Sequence, residues 1–325
     1  MLGGVQAQVG SAADLSLVAR IDGLKVRDVR HALIETRVLV KTWTLRGTLH
    51  YIPAADVAVF GAAMTGAFSD RIALLERVYG VDRADIDRLN SAIGDALDAT
   101  PRTRKELAAA VEHHLPDRIR HLLHSGWGSV LHPAAYAGIL CFGPPEGQNV
   151  TFVRVDAWTG RPLPKISGDA AILELARRFL HANGPATSAD FARWTGLSPA
   201  RAKHAFQALD KEMVEVRVAG RRAAILASDR EDLDTAEFDG EVRLLPLFDM
   251  YTLAQAGRDL MIDDEHRPLV FRKAGWISPV IAAEGRIVGT WSWQKAKLVL
   301  EPFGRLSARV RRAAIEDGER LRAAL

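Results

Sequence analysis

Between Gly184 and Leu226 the sequence runs two short helical patterns and a hairpin pattern together with almost no linker, and no other stretch restricts the fold as tightly. Thr187 followed at three residues by Asp190 makes a capping box for a helix through Trp194, which Gly196 ends. Ser198 caps the next helix, and Pro199 suits its first turn. That helix gathers Ala202, Ala205, Phe206 and Leu209 on one face and leaves Arg201, Lys203, His204 and Gln207 largely elsewhere. The β-rich Met213 to Val218, the turn Ala219-Gly220-Arg221 and a strand Arg222 to Leu226 read as a hairpin. Helix, tight turn, helix and hairpin make a winged helix-turn-helix, with Pro199 to Lys211 in the recognition position. Arg201, Lys203, His204, Arg221 and Arg222 are its candidate DNA contacts.

The same order occurs twice more. Thr103 and Glu106 form a capping box for a helix to about His114, and Pro116 breaks it. Helical patterns follow over Arg118 to His124 and about Gly128 to Tyr136, then a hairpin joins Gly138–Phe142 to Val150–Val155. Nearer the start, helical Ala12–Ala19 and Arg27–Thr36 lead into strands over Leu39–Leu45 and Thr48–Ile52. Beyond Glu241 the texture is β-rich, with expected strands at Val242–Phe248, Leu269–Arg272, Ser278–Ala283 and Arg286–Trp293, closed by a helix over Leu306–Leu325. The fold class expected is mainly α with β (α+β): tandem winged helix-turn-helix units plus a C-terminal antiparallel β-rich domain. The boundaries read as 1–100 for the first unit with following helices, 101–165 for the second, 166–235 for the third and 236–325 for the C-terminal domain.

Composition narrows the function. A chain of 325 residues with 48% hydrophobic and 26% charged residues has the balance of an ordinary globular protein of several domains. No stretch reaches the roughly 18 apolar residues of a spanning helix, and no charged leader with an apolar run opens the chain, so the expectation is a cytoplasmic, nucleoid-associated protein with no membrane partner. The single cysteine, Cys141, is expected to be a buried small hydrophobe. The net charge of +3 is too small to argue for a polyanionic partner, although the run Arg305–Arg322 carries Arg305, Arg309, Arg311, Arg312, Arg320 and Arg322. GxSxG, GxGxxG and GxxxxGK[ST] are absent, and Ser292 with Lys295 matches SxxK without its companion motifs. His113, His114, His121, His124 and His132 crowd one region without the spacing of a metal site, so no metal and no cofactor are expected.

Two segments hold candidate chemistry. Gln6 and Gln8, separated by the small apolar Ala7, can turn both amides to one side if the backbone is extended or turning there. In Thr42-Trp43-Thr44-Leu45-Arg46-Gly47-Thr48-Leu49-His50, the residues Trp43, Arg46, Thr48 and His50 lie on a hairpin that could touch a nucleic-acid backbone or lever a base. The plainer reading of that stretch is a core tryptophan and a surface hairpin.

These segments, with Leu2-Gly3-Gly4-Val5 before the glutamines, Leu244-Leu245-Pro246-Leu247-Phe248-Asp249, and Gly285-Arg286-Ile287-Val288-Gly289-Thr290-Trp291, resemble the AlkZ-like winged-helix family of bacterial DNA glycosylases over nearly the whole chain. The resemblance implies tandem winged helices wrapped into a C-shape, and removal of alkylated bases or unhooking of alkylation crosslinks. It also implies a Gln-apolar-Gln or Gln-apolar-Asp element that handles the water, which Gln6 and Gln8 match, and a hairpin applied to DNA, which Arg46–His50 matches. The family has a further helical segment ahead of the glutamines, so upstream in-frame codons are expected to encode an amphipathic helix. The partner expected is alkylated double-stranded DNA, bound by a monomer. Gln8 would hold the water and Gln6 help orient it, without either being a general base. The rival reading is a non-enzymatic winged-helix DNA-binding protein or transcription regulator; a protein-interaction scaffold is a third.

Overall fold

In the computed structural model, which describes residues 3–124, 128–237, 240–254, 258–295 and 297–325, local signals decide where helices begin. Thr187 N donates to Asp190 Oδ2 at 2.9 Å and Asp190 N to Thr187 Oγ1 at 3.3 Å, so the reciprocal cap read from the sequence is present. Thr103 and Glu106 do the same, and Ser198 Oγ accepts from Arg201 N at 3.4 Å.

The first unit opens with a two-residue strand β1 (Val5–Gln6), then α1 (Gly10–Val18), α2 (Val26–Ile34) and the hairpin β2 (Leu39–Trp43) and β3 (Leu49–Pro53). Leu2, which begins the Leu2-Gly3-Gly4 motif, lies outside the described residues. The long α3 (Val57–Tyr79) and α4 (Arg83–Ala96) lead to β4 (Arg102–Thr103), α5 (Arg104–Val111), α6 (Asp117–His124), α7 (His132–Tyr136), the hairpin β5 (Leu140–Phe142) and β6 (Thr151–Arg154), and α8 (Val155–Thr159). Next come α9 (Gly168–Asn183), α10 (Ser188–Thr195), α11 (Pro199–Ala208), the hairpin β7 (Met213–Val218) and β8 (Arg221–Leu226), and α12 (Arg230–Thr235). The last unit holds β9 (Val242–Leu245), α13 (Met250–Ala254), α14 (Arg258–Met261), α15 (Arg267–Val270), β10 (Val280–Ala283), β11 (Arg286–Gln294), β12 (Lys297–Pro302) and α16 (Ala308–Ala323).

Several features differ from the sequence reading, among them the strand β12, which it did not anticipate. The first half of the strand expected over Leu269–Arg272 belongs to the short helix α15, with Pro268 in its first turn, where a missing N–H is harmless, and Phe271 keeps only an isolated antiparallel bridge to Ile277. The hairpins of the first two units are also joined. Lys41 pairs with Phe142, giving one six-stranded sheet ordered β1-β3-β2-β5-β6-β4. The third hairpin stays a two-stranded wing, and the C-terminal sheet is antiparallel in the order β12-β11-β10-β9.

One apolar core runs through the first three units, from Trp43 and Phe60 to Phe179, Phe191 and Trp194, with Cys141 buried inside it and its thiol pushed up to about 12 by that burial. A second joins the C-terminal sheet and α16 to α1 and α2. Asp249, fully buried, fastens this joint: it accepts from Ser16 Oγ and from both terminal nitrogens of Arg20, at 2.7 and 2.6 Å. The far end is tied by Arg320, which donates to Val18 O at 2.8 Å and to Asp317 at 2.9 Å. The C-terminal end of α1 is thereby tied at Ser16 and Val18 and, just past it, at Arg20. No helix among the described residues is long and apolar enough to cross a membrane.

Candidate active site

Apolar side chains on β1 decide where its amides point. Val5 and Ala7 are only 4% and 0% exposed, packed with Ala13, Val29 and Tyr51. Because side chains alternate along an extended chain, burying residues 5 and 7 on one face sends Gln6 and Gln8 to the other. Pairing keeps the segment extended: Gln6 lies opposite His50 and Val5 opposite Tyr51 on β3, and Ala7 N donates to Leu49 O at 2.7 Å. Gln6 is buried and Gln8 exposed. Gln8 Oε1 accepts a long 3.4 Å bond from Leu49 N, so most of its capacity as an acceptor is unspent.

Beside Gln6 lies the turn between β2 and β3. It is a single 3₁₀ turn, Leu45–Gly47, in which Arg46 (φ 57°) and Gly47 (φ 73°) are both left-handed. Arg46 does not project into solvent. Nη2 donates to Gln6 Oε1 at 3.1 Å, and Nη1 donates to Trp194 O in the last turn of α10. Burial brings its guanidinium down to about 10, so the group is still a cation at neutral pH. Gly196, left-handed at φ 80°, allows this approach, since a Cβ there would lie 3.1 Å from Arg46 Cα.

The remaining hairpin residues support the turn from inside. His50 is completely buried, and its Nδ1 contacts Thr48 O at 3.0 Å. Burial, reinforced by the nearby Arg46 charge and opposed by the bond to Thr48, pushes its imidazole down to about 3, so it is neutral and its Nε2 is left without a partner. Thr48 is half-buried and its hydroxyl donates to Leu45 O at 3.1 Å. Trp43 is a core residue, edge-on to Phe142 at 4.7 Å and tilted against His132 at 5.0 Å. The hairpin expected to meet DNA therefore places Trp43 and His50 behind the surface and turns Arg46 toward the glutamine.

The third unit keeps four of its five candidates exposed. Lys203 and His204 are exposed on α11, and Arg221 and Arg222 at the wing, where Arg222 lies 3.6 Å from Glu215. Arg201 is half-buried against α3, its Nη1 3.0 Å from where a Cβ on Gly66 would be. In the C-terminal run, Arg309 is tied to Glu284 at 2.6 Å and Arg320 to Asp317 at 2.8 Å, while Arg305, Arg311 and Arg322 are exposed. Of the histidine group, His124 contacts Glu112 at 3.1 Å and His132 packs on Trp43. Sequence reasoning missed the Trp194 carbonyl and the close approach at Gly196, although Gly196 was legible as a helix end.

A family model described as DNA glycosylase AlkZ-like matches residues 1–324. The interstrand DNA cross-link repair glycosylase of Streptomyces sahachiroi is 35% identical over 309 residues, covering 92% of this chain and 82% of that protein. The solved structure of Streptomyces sahachiroi DNA glycosylase AlkZ superposes with a TM-score of 0.91 at 32% identity, covering 99% of this chain and 89% of that one.

Proposed function

Because the chain belongs to the AlkZ-like family of DNA glycosylases, we propose that it excises N-alkylated bases from duplex DNA and unhooks alkylation crosslinks, using a water held by Gln6 and Gln8. The observation that carries the second half is the pair itself: two neutral amides at alternate positions on and just after β1, opposite the buried Val5 and Ala7, one anchored and buried, the other exposed with a spare carbonyl lone pair. N-alkylation puts positive charge on the base, so the base leaves as a neutral molecule and needs no strong acid. The C1′–N bond breaks with its electron pair passing to the base, the water oxygen bonds to C1′, and the water's proton passes to solvent. What the protein adds is placement of that water against an oxocarbenium-like centre. Gln8 Oε1 accepts a hydrogen bond from the water and Gln6 helps orient it; since neither amide can take up a proton at neutral pH, cationic lesions are favoured over neutral bases.

The partner surface is the exposed basic set Lys203, His204, Arg221 and Arg222, which meets phosphates whatever the sequence. In this reading the protein acts as a monomer, in the cytoplasm and at the nucleoid, with no cofactor or metal. Incubation with DNA carrying N7-alkylguanine followed by alkali tests the activity. Strand breaks at the lesion are expected, because alkali cleaves the abasic product; intact strands despite tight binding would point to a non-enzymatic regulator.

A further inference from the structure

An amide side chain has two chemically opposite ends, and the sequence does not say which end of Gln6 faces the reaction. Arg46 answers this. A guanidinium carries donors and no acceptor, so the Gln6 atom it meets at 3.1 Å is the carbonyl oxygen, and the NH₂ end is turned away. Arg46 is in turn pinned. Its other terminal nitrogen donates to Trp194 O, its backbone is left-handed at φ 57°, and the end of α10 closes over it at Gly196. Among the described residues no carboxylate lies within ion-pair distance of it. Its charge is met instead by the carbonyl end of α10, where a helix dipole is negative, and by the Gln6 carbonyl.

We propose that Arg46 is a positioning residue that locks the Gln6 carbonyl inward, so that Gln6 Nε2 donates to the attacking water while Gln8 Oε1 accepts from it. This rests on the reading of Gln6 and Gln8 as the water-holding pair. A water has two lone pairs: one forms the bond to C1′, and the other takes the Gln6 N–H. One O–H then donates to Gln8, and the proton released on bond formation passes to solvent. The two glutamines are therefore not interchangeable, and Arg46 makes the difference.

The test measures single-turnover excision of N7-methylguanine at saturating protein for Gln6→Ala, Gln6→Glu, Arg46→Ala, Arg46→Lys and Arg46→Ala/Gln6→Ala, with DNA affinity and a melting curve for each. Gln6→Glu keeps the shape and the contact to Arg46 but loses the donor, so it should slow excision about as much as Gln6→Ala, roughly tenfold or more. Arg46→Ala should lower the saturated rate about tenfold while affinity moves by less than about threefold, with partial rescue in Arg46→Lys. The double variant should be no slower than Gln6→Ala, because Arg46 acts through Gln6. A full rate in Gln6→Glu, or losses that multiply in the double variant, would overturn the proposal, and the first result stands even if Arg46→Ala does not fold. No excision by the unsubstituted protein would remove the glutamine reading together with this one. Excision that is lost in Gln8→Ala but full in Gln6→Glu would remove this one alone.

Discussion

The turn between β2 and β3 and the wing tip between β7 and β8 share one backbone conformation and do opposite things. In each, a non-glycine residue and a glycine are left-handed in succession, Arg46-Gly47 at φ 57° and 73° and Ala219-Gly220 at φ 50° and 79°. Such pairs match the right-handed twist of a hairpin, and glycine carries its half without strain. Around Gly47 the space is filled: a Cβ would lie 3.3 Å from His132 and 3.6 Å from the Tyr136 hydroxyl. Around Gly220 nothing lies within 4 Å. Local sequence sets the turn, and what docks on it decides whether a nearby arginine turns inward, as Arg46 has, or stays exposed, as Arg221 and Arg222 do.

Glycines are where the contrast is easiest to break. Gly196→Ala adds left-handed strain and presses a methyl onto the Arg46 backbone, whereas Gly220→Ala adds strain alone. We expect losses of about 3 and about 1 kcal/mol, read from denaturant midpoints. Equal losses would mean that the docking of α10 on the turn contributes nothing.

Acid should find the docked turn as well. His50 is held down to about 3, against about 6.5 for a free imidazole, so between those values the unfolded chain binds a proton that the folded chain refuses. Its contribution is complete above pH 6.5 or so and shrinks as pH falls, by about 2 kcal/mol at pH 5. His50→Gln should flatten this part of the stability-pH curve, and an unchanged slope would place His50 in contact with water. The wing of the third unit has no histidine and offers no such handle.

At the wing the smallest stability effects are expected. Arg221→Ala and Arg222→Ala should leave the midpoint within about 0.5 kcal/mol, yet each should reduce the salt dependence of DNA binding by about one unit of slope. Binding by the unsubstituted protein should weaken by orders of magnitude between roughly 50 and 200 mM salt. Affinity that ignored salt, or that chose one operator sequence, would favour the regulator reading.

Much of this contrast was readable from the chain and part was not. The caps at Thr103, Thr187 and Ser198 give their helices away because the capping partner lies three residues on. The hairpins show through alternation and their glycine turns. The join of two units into one sheet rests on the single pair Lys41 and Phe142, which no local pattern announces. The expected strand at Leu269–Arg272 failed because a short apolar run fits either a buried strand or one turn of helix, and Pro268 decided for the helix. At the site, the spacing of Gln6 and Gln8 was visible, and so was Arg46 as a residue of interest. Its direction was not: the Trp194 carbonyl that fixes it is 148 residues away in the chain.

The glutamine assignment stands or falls on Gln8→Ala, which removes an amide carbonyl without removing charge. Single-turnover excision of an N-alkylated purine should fall by about a hundredfold or more, while affinity for undamaged DNA changes by less than about 1 kcal/mol and the melting curve is kept. A folded Gln8→Ala protein that excises at the normal rate would contradict the account.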